Sequence, residues 1–154
     1  MKKTELLERV RGAHGEMLRA LEGLTEEEAT RAGLNPNWSV RDALSHVVAW
    51  ELEGARSIKA IGEGTYQPRP FDKEAIDTFN DSAVEERRSR TFAEVRAEFD
   101  DAHREMTEVL ETLPDEIEER TPTYKFAEGV TFRHLSQHAA QIAEWRKNIV
   151  NRES

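Results

Sequence analysis

Apolar residues in this chain recur every three or four positions almost from end to end. No run alternates apolar with polar at every second residue for long enough to build a sheet. In the segment that opens "TFAEVRAEFDDAHREM", the stripe is Phe92, Val95, Phe99, Ala102, Met106, Val109 and Leu113, with charged residues between. That spacing collects the apolar side chains on one face of a helix and leaves the other face to water. A chain made of such segments must bury one stripe per helix, and the economical solution is helix packed on helix.

Three more segments follow the same rule. The first runs from about Thr4 to Glu22, with Leu7, Val10, Met17 and Leu21 on its stripe. "TEEE", from Thr25 to Glu28, has the form of a capping box and opens a short helical turn. After the loop "RAGLNPNW", Ser39 caps a second long helix, with Asp42 three residues on, which runs to about Ala60. "GEGTYQPRP" breaks it, and "FDKEAIDTFNDSAVEERR" reads as a shorter helix within a long crossover. Thr91 and Glu94 form another capping box at the start of the third long helix, and Thr131 is expected to cap the fourth, ending near Val150. "LPDEIEERTPTYKFAEG" reads as a connection, and the "EERRSR" cluster as a solvated turn. The expectation is an all-α fold, a four-helix bundle whose long crossover carries a short extra helix, in one domain spanning residues 1–154.

Composition narrows the functions. The 154 residues include 31 acidic and 22 basic side chains, for a net charge of -9. That balance opposes binding to phosphate backbones and anionic membrane surfaces, so neither nucleic acid nor membrane is expected as a partner. There is no cysteine, so a thiolate metal site is ruled out and a nucleophilic thiol would have to be imported. "MKKTELLERV" has no apolar run of signal-peptide length, and no segment has the unbroken apolar length of a membrane span. A cytoplasmic location is expected.

The histidines carry the chemistry. His134 and His138 stand four apart in "TFRHLSQHAAQIAEWRK", on a segment that is otherwise a helical stripe. Side chains so spaced lie about 5–6 Å apart at Cβ, and both lean toward the helix N-terminus. His46, in "SVRDALSHVVAWE", is surrounded at helical offsets by Ala43, Val47 and Trp50, and so faces inward. Two readings fit this pattern. The three rings are either hydrogen-bonded core residues, or ligands of one divalent ion with a coordination position left open. His14 and His103 fall at the edges of apolar stripes and read as boundary residues. Trp38, Trp50 and Trp145 read as core or rim packing, with a substrate-pocket role for one of them as the lesser reading. Gln141 and Glu51 are placed to touch the outer shell of a histidine site, whereas Glu144 reads as solvated.

"NWSVRDALSHVVAWE" and "RHLSQHAAQIAEWR" together resemble the second and last helices of the DinB/YfiT-like metal-binding bundle superfamily. The stretch "FDKEAIDTFNDSAVEERRSRTFAEV" resembles its ClbS/DfsB-like members. The resemblance covers nearly the whole chain. It implies an up-down-down-up bundle, a divalent metal (commonly zinc or nickel) on His46, His134 and His138, and frequent homodimers. It also implies chemistry on small electrophiles, with water or a low-molecular-weight thiol as the nucleophile: thiol S-transferases and isomerases on one side, and a hydrolase opening a cyclopropane on the other. That hydrolase branch often lacks the last-helix histidine pair, which is intact here. The expected function is therefore a metal-dependent transferase or hydrolase acting on a small-molecule substrate, with no catalytic side chain assigned. The alternative is a non-catalytic metal- or small-molecule-binding bundle.

Overall fold

The computed structural model describes residues 1–153, with side chains for residues 1–150. Its helices are α1 (Lys3–Leu21), α2 (Glu26–Thr30), α3 (Val40–Glu63), α4 (Lys73–Glu86), α5 (Phe92–Glu111), α6 (Pro122–Val130) and α7 (Phe132–Glu153). No strand forms among the described residues; Lys2 and Glu116 make one isolated bridge. The helix starts follow the sequence signals. Thr25, Ser39 and Thr91 each accept from the backbone N–H three residues on, and Glu28, Asp42 and Glu94 reciprocate. Gly64, at φ 73°, ends α3 in the left-handed conformation that glycine adopts without strain.

Four long helices run up, down, down and up. Lys3 N–H donates to Asp115 O at 2.8 Å, fastening the start of α1 to the end of α5. Arg146 donates to Ala20 O and Glu22 O at 2.9 and 2.7 Å, so the ends of α1 and α7 lie together. Arg41 reaches Arg90 O at 3.2 Å and Gly54 sits beside Met106, which makes α3 and α5 parallel. Gly54 also abuts Val130, just before α7, while the earlier His46 meets His134; α3 and α7 are therefore antiparallel. Helix α4 occupies the crossover between α3 and α5. Glu26 spans from α2 to the start of α5, accepting from Phe92 and Ala93 N–H at 2.8 and 2.9 Å, and so supplies an acidic cap from another helix.

The core has two parts. One contains Met17, Leu44, Val47, Phe99, Leu135 and Ile142; the other contains Leu6, Val10, Ile58, Met106, Leu110 and Val130. Each Leu, Ile or Phe so buried contributes about 1.5–3 kcal/mol. That outweighs intrinsic helix propensity, so burial of the stripes, more than local preference, holds these helices.

Three local expectations are overturned. The expected connection after α5 contains α6. Thr121 caps it, accepting from Tyr124 N–H at 3.4 Å, Pro122 takes the first turn, and Tyr124, Ala127 and Val130 are buried. The Thr-Pro pair was the signal for that start, and two prolines and a glycine masked it. Thr131 does not cap α7 with its side chain: its hydroxyl turns back to donate to Ala127 O, and only its carbonyl joins the new helix. Within "EERRSR", Arg87 is buried and donates to Glu98 at 2.7 Å, because α5 brings a carboxylate to it.

Candidate metal centre

The antiparallel packing of α3 on α7 brings His46, His134 and His138 together. His46 Nε2 lies 2.8 Å from His134 Nε2, and His138 Nε2 lies 3.0 Å from the same atom. The rings meet edge to face, at interplanar angles of 74–81°. His46 is buried, at 8% exposed, while His134 and His138 are half-buried. One nitrogen from each ring lies within 4.8 Å of the others, and the three could hold a metal ion.

Hydrogen bonding decides which nitrogens carry protons. The Trp50 indole N–H donates to Asn80 Oδ1 at 2.7 Å, which fixes that atom as the amide oxygen. His46 Nδ1, 2.9 Å from the same oxygen, must therefore carry a hydrogen, leaving a lone pair on its Nε2. His138 Nδ1 lies 3.0 Å from Gln141 Oε1, and with that oxygen accepting its hydrogen the His138 Nε2 is a bare acceptor as well. Both lone pairs point at His134 Nε2, which carries at most one hydrogen and can satisfy at most one of them. His134 Nδ1 is buried without a partner. Three nitrogens crowded around too few protons suit a cation. A tetrahedral ion with bonds of about 2.0–2.1 Å needs nitrogens about 3.3 Å apart, a few tenths of an ångström wider than here.

Electrostatics agree. Burial lowers the pKa of all three histidines, and with the added effect of the neighbouring imidazoles it brings His46 to about 4 and His134 to about 3. The set is neutral near pH 7, the state a metal ligand requires.

The cluster opens on a cavity of about 550 Å³ whose wall includes Trp50, Tyr66, Phe71, Lys125, Phe126 and His134. Trp50 is thus a pocket residue as well as a packing one, the lesser of the two roles read for the tryptophans from the sequence. Trp38 tilts over His46 at 5.0 Å between centroids, and Trp145 packs against the core. Gln141 touches His138 as expected. Glu51 does not reach a histidine: its carboxylate is fully buried with neither oxygen hydrogen-bonded, and burial raises its pKa to about 8. Glu144 is exposed. Asn80, Tyr66, Phe71 and Lys125 had no sequence signal, because they come from the crossover and from the segment read as a connection.

His14 and His103 stand outside the trio. Their rings stack on each other at 3.9 Å, and His14 Nε2 lies 3.1 Å from Asp100 Oδ1. They are the boundary residues the sequence suggested.

The fold and the site together define an all-helical bundle in which three histidines from two helices, at the head of an aromatic pocket, could hold a metal ion. The chain belongs to the DinB superfamily, whose sequence profile matches residues 6–142. No curated protein matches the sequence. Among solved structures it is similar to DfsB, described as a sibling lethal factor precursor, at 13% identity and TM-score 0.83 over 96% of each chain. It is also similar to the colibactin self-resistance protein ClbS in complex with double-stranded DNA, at 12% identity and TM-score 0.83 over 95% of this chain and 96% of that one. An uncharacterised protein of Escherichia coli UTI89 matches at 15% identity and TM-score 0.80, over 96% and 94%. At these identities the likeness concerns the fold. Since the ClbS crystals hold DNA, this fold does not itself exclude nucleic acid, and the contrary expectation for this chain rests on its charge alone.

Proposed function

We propose that this protein is a metal-dependent enzyme that directs a thiol or water at an electrophilic small molecule, with His46, His134 and His138 as the ligands. The observation that carries this reading is the convergence of two lone pairs on His134 Nε2, at the head of a cavity that admits a small molecule. A zinc- or nickel-type ion held by the three histidines would supply the charge that lowers the nucleophile's pKa and stabilises the anion developing on the substrate. Asn80 and Gln141 hold the Nδ1–H of His46 and His138, which keeps both Nε2 lone pairs aimed inward. The aromatic wall positions the electrophile and limits water. In the thiol case the sulfur loses its proton to solvent and forms the new bond to carbon, while the carbon–leaving-group bond breaks with its electron pair.

Two measurements test this. Untagged protein offered zinc or nickel should retain about one ion per chain by mass spectrometry, and the loaded protein should accelerate loss of 1-chloro-2,4-dinitrobenzene with a bacterial low-molecular-weight thiol. Failure to retain metal overturns the reading; tight metal without turnover of any electrophile favours a sequestering protein. Light scattering tests the homodimer that the family resemblance implies. Fluorescence anisotropy with a DNA duplex at low salt should show no binding, because a net charge of -9 opposes a phosphate backbone; binding there would overturn that expectation.

A further inference from the structure

The cavity beside His134 has a charge and a shape that the metal reading does not explain. Lys125 is its only lining side chain that is charged near neutral pH, and among the described residues no carboxylate pairs with it. The rest of the wall is largely aromatic. Trp50 and Phe71 lie nearly parallel, 23° apart with centroids 6.3 Å from each other, and Phe126 faces both Phe71 and Tyr66, at 6.4 and 5.7 Å. Phe71 is 51% exposed, whereas every other aromatic side chain among Phe, Tyr and Trp is buried or half-buried. It hangs from the non-helical strap between α3 and α4, which an Arg69–Glu53 ion pair at 3.4 Å ties to α3. A ring half in solvent gains contact area when a flat partner covers it.

We propose that this pocket selects a planar aromatic or conjugated monoanion, its rings against Trp50, Phe71 and Phe126 and its anionic group on Lys125. Lys125 is then a specificity-determining residue. In a protein of net charge -9, a lone unpaired cation at the mouth of an apolar cavity gives an anion a favourable approach that most of the surface denies it. The cavity, about 550 Å³, lies within the range for ligands of two or three rings. This inference rests on the reading of the site as one that takes small molecules, but it does not require the metal.

Calorimetry with three probes tests it: 2-naphthoate, its neutral isostere 2-naphthamide, and the globular anion 1-adamantanecarboxylate. On both metal-loaded and chelator-stripped protein, naphthoate should bind about two- to fivefold tighter than naphthamide, the size expected for one partly exposed charge pair. It should also bind tighter than adamantanecarboxylate, which carries the same charge without a flat face; equal affinity for the two anions overturns the planar part of the proposal. Lys125→Met should abolish the preference over naphthamide while leaving naphthamide affinity unchanged; Lys125→Arg should keep it. Equal affinities for naphthoate and naphthamide overturn the proposal, as does a preference that survives Lys125→Met. A preference present only in loaded protein also overturns it, because the ion and not Lys125 would then be the anion's partner. Metal content, measured on the same samples, reports separately on the metal reading.

Discussion

Asn80 Oδ1 lies 2.9 Å from His46 Nδ1, so a residue of the crossover helix α4 sets which nitrogen of an α3 histidine faces the site. The Trp50 indole holds that amide in place. Removing such an orienting partner from a metal-ligating histidine typically weakens affinity by about 10–100-fold. Asn80→Leu should therefore lower zinc affinity within that range in a chelator competition. Asn80→Asp, which still accepts from Nδ1–H, should retain it. Unchanged affinity in Asn80→Leu would show that α4 takes no part.

Deleting one of three ligands should be far more severe than deleting a boundary imidazole. His138→Ala should lose tight zinc or nickel on dialysis, and His103→Ala should keep about one ion per chain. Equal metal content in the two variants would remove His138 from the ligand set.

Gly54 is where α3 lets α6 approach. A Cβ there would collide with a Val130 methyl and press on Met106. The gain in helix propensity from Gly54→Ala is about 1 kcal/mol, and overpacking costs about 1–3 kcal/mol. With the neighbour so close, the clash should win. Urea unfolding should show a net loss, relieved in Gly54→Ala/Val130→Ala. Because α6 carries Lys125 and Phe126, the single variant should also weaken naphthoate binding.

Glu51 makes stability depend on pH. Its carboxyl, with no hydrogen-bond partner and sealed in the core, keeps its proton up to about pH 8, whereas the unfolded chain releases it near 4.5. Between those values unfolding releases a proton, so stability falls as pH rises, by up to about 1.4 kcal/mol per pH unit from this group. Glu51→Leu should remove that component. Its advantage over the native chain should grow from pH 5 to pH 8 in urea titrations, and an advantage independent of pH would show that Glu51 ionises freely in the folded protein.

The helix starts were legible because capping is local: Thr25, Ser39 and Thr91 each need only a partner three residues away. The His134–His138 pair was legible for the same reason, since one turn of helix places both rings on one face. Helix α6 was missed although Thr121 and Pro122 announced it. Its buried stripe is only three residues long and gains its energy from α3 and α7.

The sequence by itself determined the helical class, the main stripes, the shared face of His134 and His138 and the inward face of His46, because each of these follows from repeat spacing within one helix. That the three share one ion came from the family resemblance. Only the tertiary structure decided that His46 meets His134, that Asn80 and Trp50 govern its protonation, and that Lys125 stands alone in an aromatic pocket. Those contacts join residues far apart in the chain, and their geometry depends on how deeply α3, α6 and α7 pack against one another. A small residue such as Gly54 sets that depth, and no periodicity in the sequence records it.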